Sequence, residues 1–553
     1  KTSKLRTLNQ KFKAQYIYMR KFIFLVIISC TSLIKLSAQP LIQRSTNPEF
    51  FVEEKFIYQP QNHFHTSVRP YLSDELQQII PEDSIKNTLK IASIYDKGVK
   101  RWLWNKVFNE DLIKIQGDEY TFKVNPLVNF ELSNDFKNDD HAWVNTRGFM
   151  VDGNIGPRFA FATRFYENQA TFVDYIDKEI QNIRVIPGQG GYKPFKTSGY
   201  DFSRAEGYIS YSPNKYFNFR FGHGNNFWGD GYRSLLLGDS HFPYPYFLIS
   251  TTVWKIRYVN LYAEFMERQS PRKESEPYHK KYGTFHYLTV NITPRLKVGL
   301  FEAIIWKARD SVGYRGFDIN YLNPVIFYRP VEFSVGSPDN ALLGFNVSYT
   351  IGKNNTLYGQ LLLDEFKLNE VFSGEKWWGN KQAVQLGLKA FDVGGINGLS
   401  IQVEGNIIRP YTYSHWESIQ NYGHYNQPLA HPLGANVREG ICWVRYHHHR
   451  WHVNYELQYA LYGLDTANIN FGKNIFRSYN DRPFDYGIKI GQGLKTTLWR
   501  QELKISWMIN PNYNLNLSTG LVWRKQSNVK SREDLLMLYV SLSTALQKLY
   551  YDF

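Results

Sequence analysis

From Thr121 onward the sequence alternates apolar and polar residues with a period of two, in recurring runs of roughly 9–13 residues. A chain built this way must present one apolar and one polar face along every run, and the connections between the runs decide how those faces are used. Short turns read at Asp152-Gly153-Asn154, Ser212 to Lys215, Val259-Asn260, Thr293 to Arg295, Gly352 to Asn355, Asp392 to Asn397, His448 to Arg450 and Asn510 to Asn512. Long connections read at 133–141, 167–200, 224–245, 269–283, 307–340, 367–381, 409–438, 463–494 and 525–533. Eight turns alternating with nine loops imply about 18 antiparallel strands, an even number that closes with both ends on the short-turn side. Closure removes the unpaired edges that no lipid-facing sheet tolerates. The expected fold is therefore all-β: a closed outer-membrane barrel with short periplasmic turns and long extracellular loops.

Composition agrees with a barrel wall better than with a soluble core. The 553 residues include 40 Tyr, 38 Phe and 14 Trp, yet mean hydropathy is −0.43, so the chain is aromatic without being apolar. The one long apolar run, Phe22 to Ile28 with Leu33, Ile34 and Leu36, follows Arg20-Lys21 and precedes Ser37-Ala38-Gln39. That is the pattern of a secretory signal with Met19 as its start, too short and too broken by Lys35 to span a bilayer. Cleavage is expected after Ala38; Ile27-Ile28-Ser29-Cys30 also resembles a lipobox, which would lipidate Cys30. Cleavage after Ala38 removes eight basic and no acidic residues, lowering the net charge from +15 to +7. The remaining charge does not argue for nucleic acid as a partner. Only Cys442 would survive, so closure rather than a disulfide must supply stability.

Residues 39–117 read as an extended arm followed by periplasmic helices, and 118–553 as the barrel. Leu72, Leu76, Ile79 and Ile80 share one helical face before Pro81. A second stripe runs from Ser84 through Ile85, Leu89, Ala92, Val99, Leu103 and Val107. These helices read either as a small packing unit or as a plug over the barrel mouth. At the other end, Tyr550-Tyr551-Asp552-Phe553 resembles the aromatic signal read by barrel-assembly machinery, although the alternation slips between Leu546 and Phe553.

Between Tyr216 and Tyr258 the pattern is most distinctive. Phe217, Phe219 and Phe221 face one way and Asn218 and Arg220 the other; a glycine-rich loop follows, and the chain is expected to return as a second strand through Trp254, Ile256 and Tyr258. Gly222, Gly224, Gly229 and Gly231 permit close backbone approach, so the loop can fold back into a lumen. Trp228, Tyr232 and Tyr246 offer flat faces to sugar rings, and Asp230, Arg233 and Asp239 can bond hydroxyls or pair with acidic sugars. Equally, Arg233 and Asp239 can form an internal ion pair that stiffens the loop. Arg329 and Glu332, near Asp339, read either as a luminal salt-bridge network or as the lining of a glycan path.

Other polar clusters carry less chemistry. His447-His448-His449-Arg450-Trp451-His452 falls at a turn, where period two separates His448 from His447 and His449, so a solvated turn is favoured over a zinc site. The charge run from Arg272 to Lys281 reads as a solvated face or a contact for lipopolysaccharide or acidic capsule. Gly188-Gln189-Gly190-Gly191 is a loop glycine cluster rather than a phosphate cradle. The sequence contains no G-x-S-x-G, H-E-x-x-H or P-loop pattern, and no cofactor, metal or catalytic residue is expected. Glu302 and Glu332 remain as carboxylates that folding could bring together.

Gly222-His223-Gly224-x-x-Phe227-Trp228-Gly229-x-Gly231-Tyr232-Arg233-Ser234-Leu235-Leu236-Leu237-x-Asp239, followed by Pro243-Tyr244-Pro245, resembles the signature of the Wzi family of capsule-assembly proteins. It is more similar still to the family's Bacteroidetes branch, which includes surface proteins associated with gliding motility. Asn145 to Gly148, Tyr166 to Gln169, Val185 to Gly188, Tyr321 to Arg329 and Gly336 to Asn340 also look like the family. The resemblance implies a non-enzymatic 18-stranded outer-membrane barrel with an N-terminal periplasmic helical unit, which binds or anchors exported polysaccharide. Its partners would be outer-membrane lipid and lipopolysaccharide, surface polysaccharide, barrel-assembly machinery and a motility or secretion complex. A porin-like diffusion channel is the alternative.

Overall fold

The structure, a computed structural model, describes residues 41–42, 54–60, 62–80, 101–268, 276–309, 313–325, 339–544, 546 and 549–553. The expected signal sequence, the helical stripe before residue 101, Arg272 to Ser275, and both Arg329 and Glu332 lie outside the described residues.

Eighteen antiparallel strands close into a barrel. In chain order they are β1 (Tyr120–Asp135), β2 (Asp140–Ile155), β3 (Phe159–Thr171), β4 (Gly199–Tyr211), β5 (Phe217–Gly224), β6 (Tyr244–Val253), β7 (Ile256–Glu267), β8 (His279–Asn291) and β9 (Leu296–Lys307). There follow β10 (Asn340–Ile351), β11 (Asn355–Glu365), β12 (Lys381–Phe391), β13 (Leu399–Ile408), β14 (Val437–His448), β15 (Trp451–Leu464), β16 (Leu494–Asn510), β17 (Leu515–Ser527) and β18 (Arg532–Ser543). Each strand pairs with its sequence neighbour, and β18 closes on β1 with Leu538 opposite Asn134 and Leu542 opposite Phe130.

Alternation sorts the side chains as a membrane wall requires. On β12 and β13, Val384, Leu386, Val403 and Ile407 are exposed outward, while Gln385, Glu404 and Asn406 are buried inward and Gln385 Nε2 donates to Asn406 Oδ1 at 2.9 Å. On β5, Phe217 and Phe221 point out and Asn218 and Arg220 point in, as the period predicted. An apolar exterior and a sheet that closes on itself without free edges make this an outer-membrane barrel.

The turn positions differ from expectation in four places, each with a physical reason. Asp152 to Asn154 continue β2, and the turn falls at 156–158 with Gly156 at φ 58°. Val259-Asn260 lie inside β7; the hairpin turns instead at Trp254-Lys255, where Trp254 takes φ 56° without the Asn-Gly signal such turns usually carry. The return from the motif loop is therefore β6, and Ile256 and Tyr258 belong to the next strand. Finally, the connections expected at 133–141 and 525–533 shrink to residues 136–139 and 528–531. The polar residues read as loop there are strand ends: Asp135, 1% exposed, accepts from Lys137 N at 2.9 Å and closes the turn itself.

Three segments enter or cap the barrel. The arm residues 62–72, expected to be merely extended, run inside it, preceded by a helical turn at 54–57 and followed by helix α1 (Ser73–Gln77). Helix α2 (Arg101–Phe108) meets the short-turn end, where Arg450 and Asn510 donate to the carbonyls of Phe108 and Lys106. After β18 the chain leaves the sheet, as the slipped alternation anticipated, and residues 550–553 turn into the lumen.

Candidate functional site

The motif loop, residues 225–243, folds into the lumen. Asn225 Nδ2 ties its base by donating to the carbonyls of Asp239 (3.1 Å) and His241 (2.7 Å). Within it, Phe227 and Trp228 form a two-residue antiparallel ladder with Arg69 and Val68 of the arm, and Gly229 N donates to Ser67 O at 2.8 Å. Gly229 sits at φ 149°, and a Cβ there would lie 2.3 Å from Gln360 Nε2 of the wall. Gly231 has no room either, because an added Cβ would meet Gln385 Oε1 and Glu404 Oε2 at 2.6 Å. The glycines are thus required by close approach to the wall.

Each motif side chain has a wall, arm or tail partner. Trp228, 0% exposed, stacks on Tyr287 with centroids 5.4 Å apart and meets Phe285 and Phe301 edge-on. Asp230 accepts from Tyr58 (2.8 Å), Thr66 (2.5 Å) and Asn346 (2.9 Å), so one carboxylate joins the helical turn, the arm and β10. Tyr232 donates its backbone N–H to Glu404 at 2.6 Å and its hydroxyl to Asp552 at 2.8 Å. Arg233 reaches Glu439 at 3.0 Å and Asp552 at 3.0 Å. The internal Arg233–Asp239 pair considered from the sequence does not form: Arg233 spans to β14 and the tail, while Asp239 accepts from Tyr550 at 2.7 Å. Tyr246, on β6, is 5% exposed beside Tyr244.

The loop at 409–436 closes over this layer. Tyr413 and Tyr422 donate to the carbonyls of Leu235 and Leu236 at 2.8 and 2.6 Å, and Gly238 N donates to Leu429 O at 2.7 Å. Burial depresses the histidines at this contact. His424 falls well below the ordinary histidine range through desolvation and the neighbouring His241; His241 is lowered by desolvation, and His415 is held at about 3 by desolvation and Lys381.

Asp339 pairs with Arg315 at 3.1 Å and accepts from Tyr321 at 2.6 Å; Arg329 and Glu332, its expected neighbours, lie outside the described residues. Glu302 lies 2% exposed with its carboxylate 3.6 Å from His286. The histidine run forms the expected turn, with His449 at φ 55°, and among the described residues no group of three His, Cys, Asp or Glu side chains is placed to hold a metal ion. Sequence reasoning missed the anchors Tyr58, Thr66, Gln360, Glu404, Glu439 and Asp552. Period two already placed Glu404 and Glu439 on the luminal face, where a carboxylate in a strand needs a cation or several donors; that was the available signal.

Beside the motif loop a cavity of about 290 Å³ follows the inner wall of β16 to β18 and β1 to β3. Its lining runs from Asn514 and Ser543 near the turns to Tyr175 on helix α3 (Asp174–Ile183) at the loop end. There Tyr175 donates to Tyr551 O at 3.0 Å and meets Phe553 edge-on, so helix and tail are joined along the cavity wall.

The site and fold define the class: a closed outer-membrane barrel whose lumen is occupied by its own loop, arm and tail. In overall structure the chain is similar to Wzi of Escherichia coli, described as an outer-membrane protein involved in group 1 capsule assembly and a carbohydrate-binding β-barrel. The TM-score is 0.53 at 15% identity, over 92% of this chain and 100% of that one. OpdK and OprD, outer-membrane proteins of Pseudomonas aeruginosa, align at TM-scores of 0.43 and 0.42 with 10% and 11% identity, over 77% and 80% of this chain and 98% and 97% of theirs. No protein-family model and no curated protein matches the sequence.

Proposed function

We propose that this barrel binds exported polysaccharide on its loop face and holds it at the cell surface, as in capsule assembly, without catalysing a reaction. The observation that carries the reading is the occupied lumen: the motif loop is bonded to the wall through Asp230, Tyr232 and Arg233 and covered by the 409–436 loop. A barrel so filled offers partners a rigid extracellular surface rather than a path. The Wzi-like fold and motif support a carbohydrate as that partner. Trp228, Asp230, Tyr232, Arg233, Asp239 and Tyr246 then serve binding by holding the surface in shape, because Trp228, Asp230 and Arg233 are 0%, 0% and 1% exposed. Arg329 and Glu332 are further candidates for lining the glycan path, and direct substitution tests them. Participation in a gliding or secretion assembly is a further arm of the proposal, read by surface spreading of a deletion strain. Deletion should release surface polysaccharide into the medium; retention and spreading both unchanged would refute the function.

One observation favours a diffusion channel, the cavity along β16 to β18, whose lining mixes polar and apolar side chains. Helix α3 and the tail meet beside it at the loop end; the binding reading expects no steady single-channel conductance in planar bilayers, and the channel reading expects one.

A further inference from the structure

Gly188 to Gly191 take no part in the motif loop, and the structure gives Gly190 and Gly191 side-chain neighbours. A Cβ on Gly190 would lie 2.7 Å from the Phe242 ring, and one on Gly191 would lie 2.7 Å from Nη1 of Arg268. Gly190 leaves room for the aromatic ring, and Gly191 lets the guanidinium lie directly against the backbone. Arg268 follows β7. Strict alternation would send its side chain toward lipid, yet its contacts with Gly191 and Tyr425 bring it over the barrel mouth.

Three aromatic rings build the surroundings. The guanidinium carbon of Arg268 lies 4.7 Å from the centre of the Tyr278 ring and 4.6 Å from that of Tyr425. Those two rings stand at 66° with centroids 5.9 Å apart, and Phe242 continues the surface 4.6 Å from Tyr425. All four side chains are half-buried, leaving part of each open to solvent. The nearby carboxylates are already engaged: Glu264 pairs with Lys280 at 2.8 Å, and Glu267 is buried 3.9 Å from His279. Among the described residues no carboxylate lies within ion-pair distance of Arg268. The protein thus fixes a planar cation with ring contacts, and among the described residues its hydrogen-bonding edge meets no carboxylate.

We propose that Arg268, caged by Tyr278 and Tyr425 beside Phe242, is a subsite for a carboxylate-bearing sugar of the bound polysaccharide. A uronate presents two oxygens to the guanidinium fork, and its ring has a flat apolar face for Phe242 or Tyr425. Arginine suits this better than lysine, whose point charge gives no bidentate geometry. The proposal rests on the polysaccharide-binding reading and narrows it to acidic polymers at one named place.

The test uses the full barrel in detergent with polygalacturonate, dextran and lipopolysaccharide micelles as probes, and the variants Arg268→Gln and Arg268→Lys. Arg268→Gln keeps a planar group but removes the charge. It should weaken polygalacturonate binding at least about tenfold, leave dextran binding and heat-modifiable migration unchanged, and be partly rescued by Arg268→Lys. Equal polygalacturonate binding by wild type and Arg268→Gln overturns the subsite, as does an effect confined to lipopolysaccharide, which would assign the cation to a lipid phosphate. Retention of the cell's own surface polysaccharide without uronate binding refutes the subsite and leaves the broader function standing. Failure both to bind these probes and to retain the cell's own surface polysaccharide refutes the broader function as well.

Discussion

Replacing Arg233 with alanine should open the luminal loop while leaving the barrel closed. The guanidinium is 1% exposed and lies 3.0 Å from each of two carboxylates, Glu439 and Asp552, which are themselves 5% and 3% exposed. Removing one side of a buried ion pair typically costs ~3–5 kcal/mol, because the partner charge is left uncompensated. Here the lower end applies. Glu439 keeps His431 at 2.7 Å, Gln458 at 2.8 Å and Asn406 at 3.0 Å, and Asp552 keeps the Tyr232 hydroxyl at 2.8 Å. A cost of about 3 kcal/mol shifts the opening equilibrium on the order of a hundredfold. Hydrogen exchange of residues 225–243 and 549–553 in the detergent-folded protein reads that shift directly, with heat-modifiable gel migration reporting the barrel. Combining Arg233→Met with Glu439→Gln should recover part of the protection, since charge is then removed from both sides. Unchanged exchange in Arg233→Ala, with the barrel intact, would show that the loop is held by other contacts and refute the reasoning.

Gly231→Ala should loosen the same loop by ~1–3 kcal/mol, because its Cβ would meet Arg233 O as well as the wall at 2.6 Å; wild-type protease resistance at 225–243 would contradict this. Trp228→Ala empties a site packed against Tyr287, Phe285 and Phe301, which should lower stability to denaturant by ~3–5 kcal/mol, with any loss of glycan binding tracking the loss of loop protection. Lost glycan binding with full protection would make Trp228 a direct contact. Acid should loosen the loop face: His241, His415 and His424 are depressed in the fold, so the opened state takes up protons first as pH falls below about 6.5. Closure is therefore complete above that pH and weakens down to the folded values, by at most about 1.4 kcal/mol per pH unit for each histidine. Exchange at 409–436 measured between pH 7.5 and 4 checks the sign.

The wall was readable from period two where burial and exposure alternate along a strand, as Phe217 to Phe221 show, although β7 to β9 carry runs buried on both faces. The turn at Trp254-Lys255 was not, because its residues carry no glycine or asparagine and only the pairing of Val253 with Ile256 locates it. The motif announced a loop able to fold inward, but not what it would meet. Arg233 finds its partners 206 and 319 residues away, and Asp230 is held by an arm with no periodic signal of its own. Local patterning specifies the strands; closure alone brings β14, the arm and the tail against one loop.

The most direct measurement is equilibrium binding of the purified full-length barrel to polysaccharide extracted from the surface of the cells that make it. The account predicts saturable binding by the closed barrel with no steady conductance in a bilayer. Conductance without polysaccharide binding would contradict it.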